Sequence, residues 1–131
     1  MRFLALDIGS RRTGVAFLDD AIGIPLPLDT VTSSTPEEFV VQVMGLIAQR
    51  NIDHVYVGLP RLPSGEEGSQ AAFVRDYAAL LSRKGVSLTF IDERHTTPRK
   101  ARTQKERQIP ERKTDSDSAA ACEILKIAVK C

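Results

Sequence analysis

A chain of 131 residues, 42% hydrophobic and 27% charged, is long enough to bury a core and is expected to form one domain over residues 1–131. No apolar run approaches the roughly 18 residues of a membrane helix, and no basic stretch precedes a signal-type apolar segment. Two cysteines, Cys122 and Cys131, give neither a disulfide framework nor zinc-type spacing, so a cytoplasmic setting without membrane contact is expected. The net charge of +1 conceals a skewed distribution. Arg94 to Lys113 holds eight basic residues against Glu106 and Glu111, a surplus of six, which leaves −5 on the remainder. An isolated charge run is usually a solvated loop, but a basic segment on an acidic body is also a candidate polyanion footprint.

Phe3–Ile8 and Gly14–Leu18 are apolar runs around a polar turn and read as an antiparallel hairpin. One carboxylate, Asp7, interrupts the first run, and a carboxylate in a buried strand is costly unless paired or metal-bound. Pro25–Val31, with two prolines, predicts an edge strand. Thr35, Pro36 and Glu38 form the start of a helix, with N-cap, first-turn proline and capping box. Phe39, Val40, Val43, Met44 and Ile47 give it one apolar stripe, and it is expected to end near Arg50-Asn51. His54–Gly58 is a short strand. A second helix over Ser69–Lys84 carries Phe73, Tyr77, Leu80 and Leu81, with Gly85 as its C-terminal cap. Val86–Ile91 is the last strand, a short helix is expected around Pro98–Glu106, and a final helix runs from Ser116 to about Val129. This order predicts an α/β fold: a mixed five-stranded sheet flanked by helices.

Acids gather at one edge of such a sheet. Asp7 ends the first strand, and Asp92 and Glu93 end the last; ligands bind at the carboxyl ends of strands in α/β sheets. Asp117 starts the stripe Ala120, Ala121, Ile124 of the final helix, so its carboxylate is expected to face the sheet. Asp115 is rotated away and reads as an N-cap. Converging carboxylates need a cation, and hard oxygen donors select Mg²⁺ or Mn²⁺. His54 begins a strand and reads as structural, and His95 as a surface residue. No Walker loop, nucleophile elbow or zinc cluster competes with the acids.

Four blocks then carry a family resemblance: DIGSRRTGVA from Asp7 to Ala16; VGLP from Val57 with GEEG from Gly65; DERHTT from Asp92 with Ala101; and DSAAA from Asp117 with Ile124 and Leu125. In this order, over nearly the whole chain, they resemble the YqgF/RuvX family, Holliday-junction-resolvase-like proteins regarded as pre-16S rRNA nucleases with a ribonuclease H-like fold. The resemblance implies that Asp7, Glu93 and Asp117 are the catalytic acids and hold Mg²⁺ or Mn²⁺, with Asp92 as the alternative to Glu93. It places Arg12, Arg94, Thr96 and Thr97 near the phosphate. Arg11, Arg99, Lys100, Arg102, Lys105 and Arg107 are added as nucleic-acid contacts from the basic character of their segments. His95, Thr13 and the loop Arg61–Ser64 depart from the family pattern. The implied partner is nucleic acid, RNA favoured over DNA, on ribosomal precursor particles, with the protein a monomer or weak homodimer. Two readings compete: resolution of four-way DNA junctions, and a nucleic-acid-binding or ribosome-assembly module without catalysis.

Overall fold

The computed structural model describes residues 1–92 and 113–129, the stretch 113–117 as backbone. Its elements are β1 (Arg2–Ile8), β2 (Arg12–Asp19), β3 (Leu26–Thr32), α1 (Pro36–Arg50), β4 (His54–Leu59), α2 (Ser69–Arg83), β5 (Leu88–Asp92) and α3 (Lys113–Val129). β1 is apolar on both faces and takes the centre of a five-stranded sheet ordered β3-β2-β1-β4-β5. β2 and β3 join it antiparallel, and β4 and β5 extend it in parallel. The sheet is mixed, as the element order predicts.

Alternation along the strands divides the interior in two. Leu4, Leu6 and Ile8 pack with Val55, Val57 and the buried faces of α1 and α2. Phe3 and Ala5 pack with Ala16, Leu18 and the Ala121, Ile124 and Leu125 side chains of α3. The α1/α2 layer and α3 therefore cover opposite faces.

The sequence signals act where they stand. Thr35 Oγ1 accepts the Glu38 amide at 3.1 Å, and Glu38 Oε1 accepts the Ser34 amide at 2.7 Å, so the box closes on the residue before the cap. Asn51 ends α1 with φ 55°, a left-handed position that asparagine tolerates. Gly85, at φ 89°, ends α2: its amide bonds Ser82 O while the Val86 amide reaches back to Leu81 O. That bond occupies Val86, so β5 begins at Leu88, two residues later than expected. β3 forms the sheet edge, where Pro27 opposite Ala16 costs no outer pairing.

Two expectations are corrected. The buried face of α2 is Ala71, Val74, Ala78 and Leu81, whereas Phe73 and Tyr77 are half-buried at its side. Small residues let the helix approach the sheet, and the Tyr77 ring instead packs at a tilt against Phe39, centroids 4.9 Å apart, with Phe73 packed in turn against Tyr77. α3 starts at Lys113, before Asp115, so Asp115 lies inside the helix and is not its N-cap. No helix among the described residues is long and apolar enough to cross a membrane.

Candidate active site

The pleat decides where Asp7 belongs. It continues the parity of Phe3 and Ala5, so it lies on the α3 face. It is half-buried, at the carboxyl end of a strand whose neighbouring Leu6 and Ile8 are 0% and 2% exposed. Its cross-strand neighbour on β2 is Gly14. On the other side Leu6 pairs with Val57, and that register sets Gly58 beside Asp7. The residues directly beside this carboxylate on the two neighbouring strands are therefore both glycines.

The turn after β1 stands at the same edge. Gly9 is required there because a Cβ would lie 2.5 Å from the Arg12 carbonyl oxygen. The Ser33 amide bonds the Arg11 carbonyl at 2.9 Å, which ties the turn to the end of β3. Arg11 is exposed, and Arg12 is half-buried with the parity of Gly14, on the face of Asp7. The structure thus brings Arg11 and Arg12 to Asp7's end of the sheet.

Asp92 is a correction. It reaches the expected edge, but it pairs with Leu59 and shares the parity of Leu88 and Phe90, which pack on the α1/α2 side. It forms an ion pair there with Arg61, Nε to Oδ2 at 3.4 Å. Arg61 Nη1 donates to the Gly65 carbonyl at 3.1 Å. Arg75 grips Glu67 through two bonds of 2.7 Å, which hold the Glu67 carboxyl below its ordinary range. Asp92 therefore does not share a face with Asp7. Glu93, Arg94, Thr96, Thr97, Arg99, Lys100, Arg102, Lys105 and Arg107, and the helix expected around Pro98–Glu106, lie outside the described residues. Among the described residues no three His, Cys, Asp or Glu side chains converge to hold a metal ion.

Asp117 falls within α3, one residue before a side chain the sequence reading passed over. Ser118 is fully buried, and its hydroxyl donates to the Leu28 carbonyl of β3. That bond pins the second turn of α3 to the sheet, beside an alanine-rich stripe that lets it lie close. The only signal was a hydroxyl within a run of small residues. Ser118→Ala is expected to lower the unfolding free energy by about 1–3 kcal/mol, because Leu28 O loses its donor in a partly buried place. Urea denaturation measures this, and an unchanged midpoint would contradict it.

His54 stands at the far end of β4. Its ring nitrogens are each 2.8 Å from a hydroxyl, of Ser87 and of Thr89, so it bridges β4 to β5 as a structural residue.

The family model described as RuvX, Holliday junction resolvase, matches residues 1–130. A candidate pre-16S rRNA nuclease of Chloroflexus aurantiacus is 40% identical over 95 residues, 72% of this chain and 62% of that protein. Its counterpart in Frankia casuarinae is 34% identical over 128 residues, 94% of this chain and 63% of that protein. The chain thus spans less than two thirds of the length of these relatives. Among solved structures, RuvC of T. thermophilus in complex with Holliday junction substrate superposes with a TM-score of 0.62 at 12% identity, covering 99% of this chain and 95% of that one. The fowlpox virus Holliday junction resolvase gives 0.51 at 14% identity, covering 98% and 96%. At such identities the likeness establishes the fold alone, which is ribonuclease H-like. With the family model spanning residues 1–130, the chain belongs to the RuvX family.

Proposed function

We propose that the chain is a metal-dependent nuclease that hydrolyses phosphodiester bonds, RNA in preference to DNA, in the 5′-end processing of pre-16S rRNA. The observation that carries the reading is Asp7, a half-buried carboxylate at a strand end with glycine on both sides, Gly14 and Gly58. Glycine at both positions adds no Cβ to the approach of an ion or a phosphate toward this carboxylate. The names of the relatives support the substrate class.

In this reading Asp7, Glu93 and Asp117 hold Mg²⁺ or Mn²⁺, a donor set of hard oxygens that suits either ion. When bound, such ions supply an activated water and stabilise the leaving oxygen of a phosphodiester. Glu93 is preferred to Asp92 because Asp92 belongs to the opposite face and is ion-paired there. β5 lies two strands from β1, roughly 10 Å away, so the acid at its end must be a long one. Arg12 would orient a phosphate beside Asp7 and Arg11 would neutralise a neighbouring one. The basic residues Arg94 to Lys113 would track the backbone, which makes binding weaken steeply with salt.

The test is to incubate the protein with labelled single-stranded RNA and with a four-way DNA junction, each with Mn²⁺. The expected result is a cut RNA and an intact junction. Cutting of the junction alone would favour the resolvase reading, which requires two sites and hence a dimer. RNA binding with neither cleavage nor Mn²⁺ uptake would leave an assembly module.

A further inference from the structure

We propose that Arg61 is a positioning residue of this site: through Asp92 it fixes the point at which the chain leaves β5 for Glu93, without touching the substrate. The inference rests on the metal-nuclease reading. β5 is only five residues long and, among the described residues, lies at the sheet edge with β4 as its one neighbour. Strand ends held on one side open locally. Here the end is braced from the α1/α2 face. Arg61 Nε sits 3.4 Å from Asp92 Oδ2, an electrostatic contact, while its Nη2 is 3.8 Å from Glu67 Oε2. Arg75 holds Glu67 and lies over the Phe90 ring, 4.8 Å from its centroid. The connections therefore close a ring: Phe90 and Asp92 on the strand, Arg61 and Glu67 in the loop, Arg75 on α2.

Ion pairs this exposed, with Arg61 at 30% and Asp92 at 25%, add little to global stability. Geometry is what the ring supplies. Arg61 Nη1 is hydrogen-bonded to the Gly65 carbonyl while its buried Nε meets Asp92 through charge alone, so one side chain links the loop to the strand end. Because Asp92 faces away from α3, none of these groups enters the face of Asp7. Their influence passes through the β5 backbone.

Arg61→Met, Asp92→Asn and the double variant test this in the full chain. Each is expected to speed amide exchange at Ile91 and Asp92 and to weaken Mn²⁺ binding in calorimetry about tenfold, as loss of an outer-shell support does. The melting temperature should stay near wild type, the RNA KM should hold while kcat falls, and the double variant should be no worse than either single one. Wild-type Mn²⁺ affinity in Arg61→Met would overturn the proposal, and if amide exchange is nevertheless faster the ring is merely structural. A wild-type chain that binds Mn²⁺ but cuts no nucleic acid would sink the nuclease reading and still leave the affinity comparison to decide the role of Arg61. A wild-type chain that takes up no Mn²⁺ would overturn both.

Discussion

Asp7→Asn is expected to lower Mn²⁺-dependent RNA cleavage by at least about a hundredfold, since loss of a direct ligand exceeds the tenfold to hundredfold cost of an outer-shell partner. The substitution keeps the size of the side chain and removes its charge. The amide can still occupy the space between Gly14 and Gly58, so the fold should persist. Single-turnover cleavage across a Mn²⁺ titration, beside a thermal melt, separates the two effects. If Asp7→Asn cleaves at the wild-type rate, the assignment of the site is wrong. A variant that loses activity only together with its melting transition would mean that Asp7 supports the fold and not the reaction.

Ile124→Ala carries the largest expected effect on stability. Ile124 is fully buried in the α3-side core, among Phe3, Ala5, Ala16 and Leu18. Three alanines, Ala5, Ala16 and Ala121, line that core, so it has few side chains able to move into a void. A loss of about 2–5 kcal/mol is expected, a large share of the roughly 5–15 kcal/mol that holds a domain together. The urea midpoint should fall with the slope unchanged. Val41→Ala, at a position 71% exposed, should leave the midpoint within experimental error. Because α3 also carries Asp117, Ile124→Ala should lose cleavage at temperatures where the wild type is still active, although Ile124 lies in the core.

Local chemistry made much of the fold legible. The caps at Thr35 and Gly85, the edge position of β3 with Pro27 and the hairpin of β1 and β2 are contained within a few residues each, and each forms as its local residues dictate. The Asp92 face was also legible but needs strict attention to the period: Leu88 and Phe90 alternate with Ser87 and Thr89, and Asp92 continues the apolar set. Other features depend on contacts that no local pattern encodes. Gly58 reaches Asp7 only through the parallel register of β1 and β4, and Ser118 meets Leu28 across 90 residues. The largest residues of α2 are not its most buried, because the sheet selects small side chains for close approach.

The pleat at the carboxyl ends of the strands acts as a wall between two territories. On one side stand the groups that would meet nucleic acid, and on the other the loop from Arg61 to Gly68 with its charged ring. A substitution in that loop can change size, charge or length without presenting a new atom to the substrate. What crosses the wall is only the placement of a backbone. Change within Arg61–Ser64, where this chain departs from the family pattern, would therefore tune how firmly the site is held more than what the site recognises.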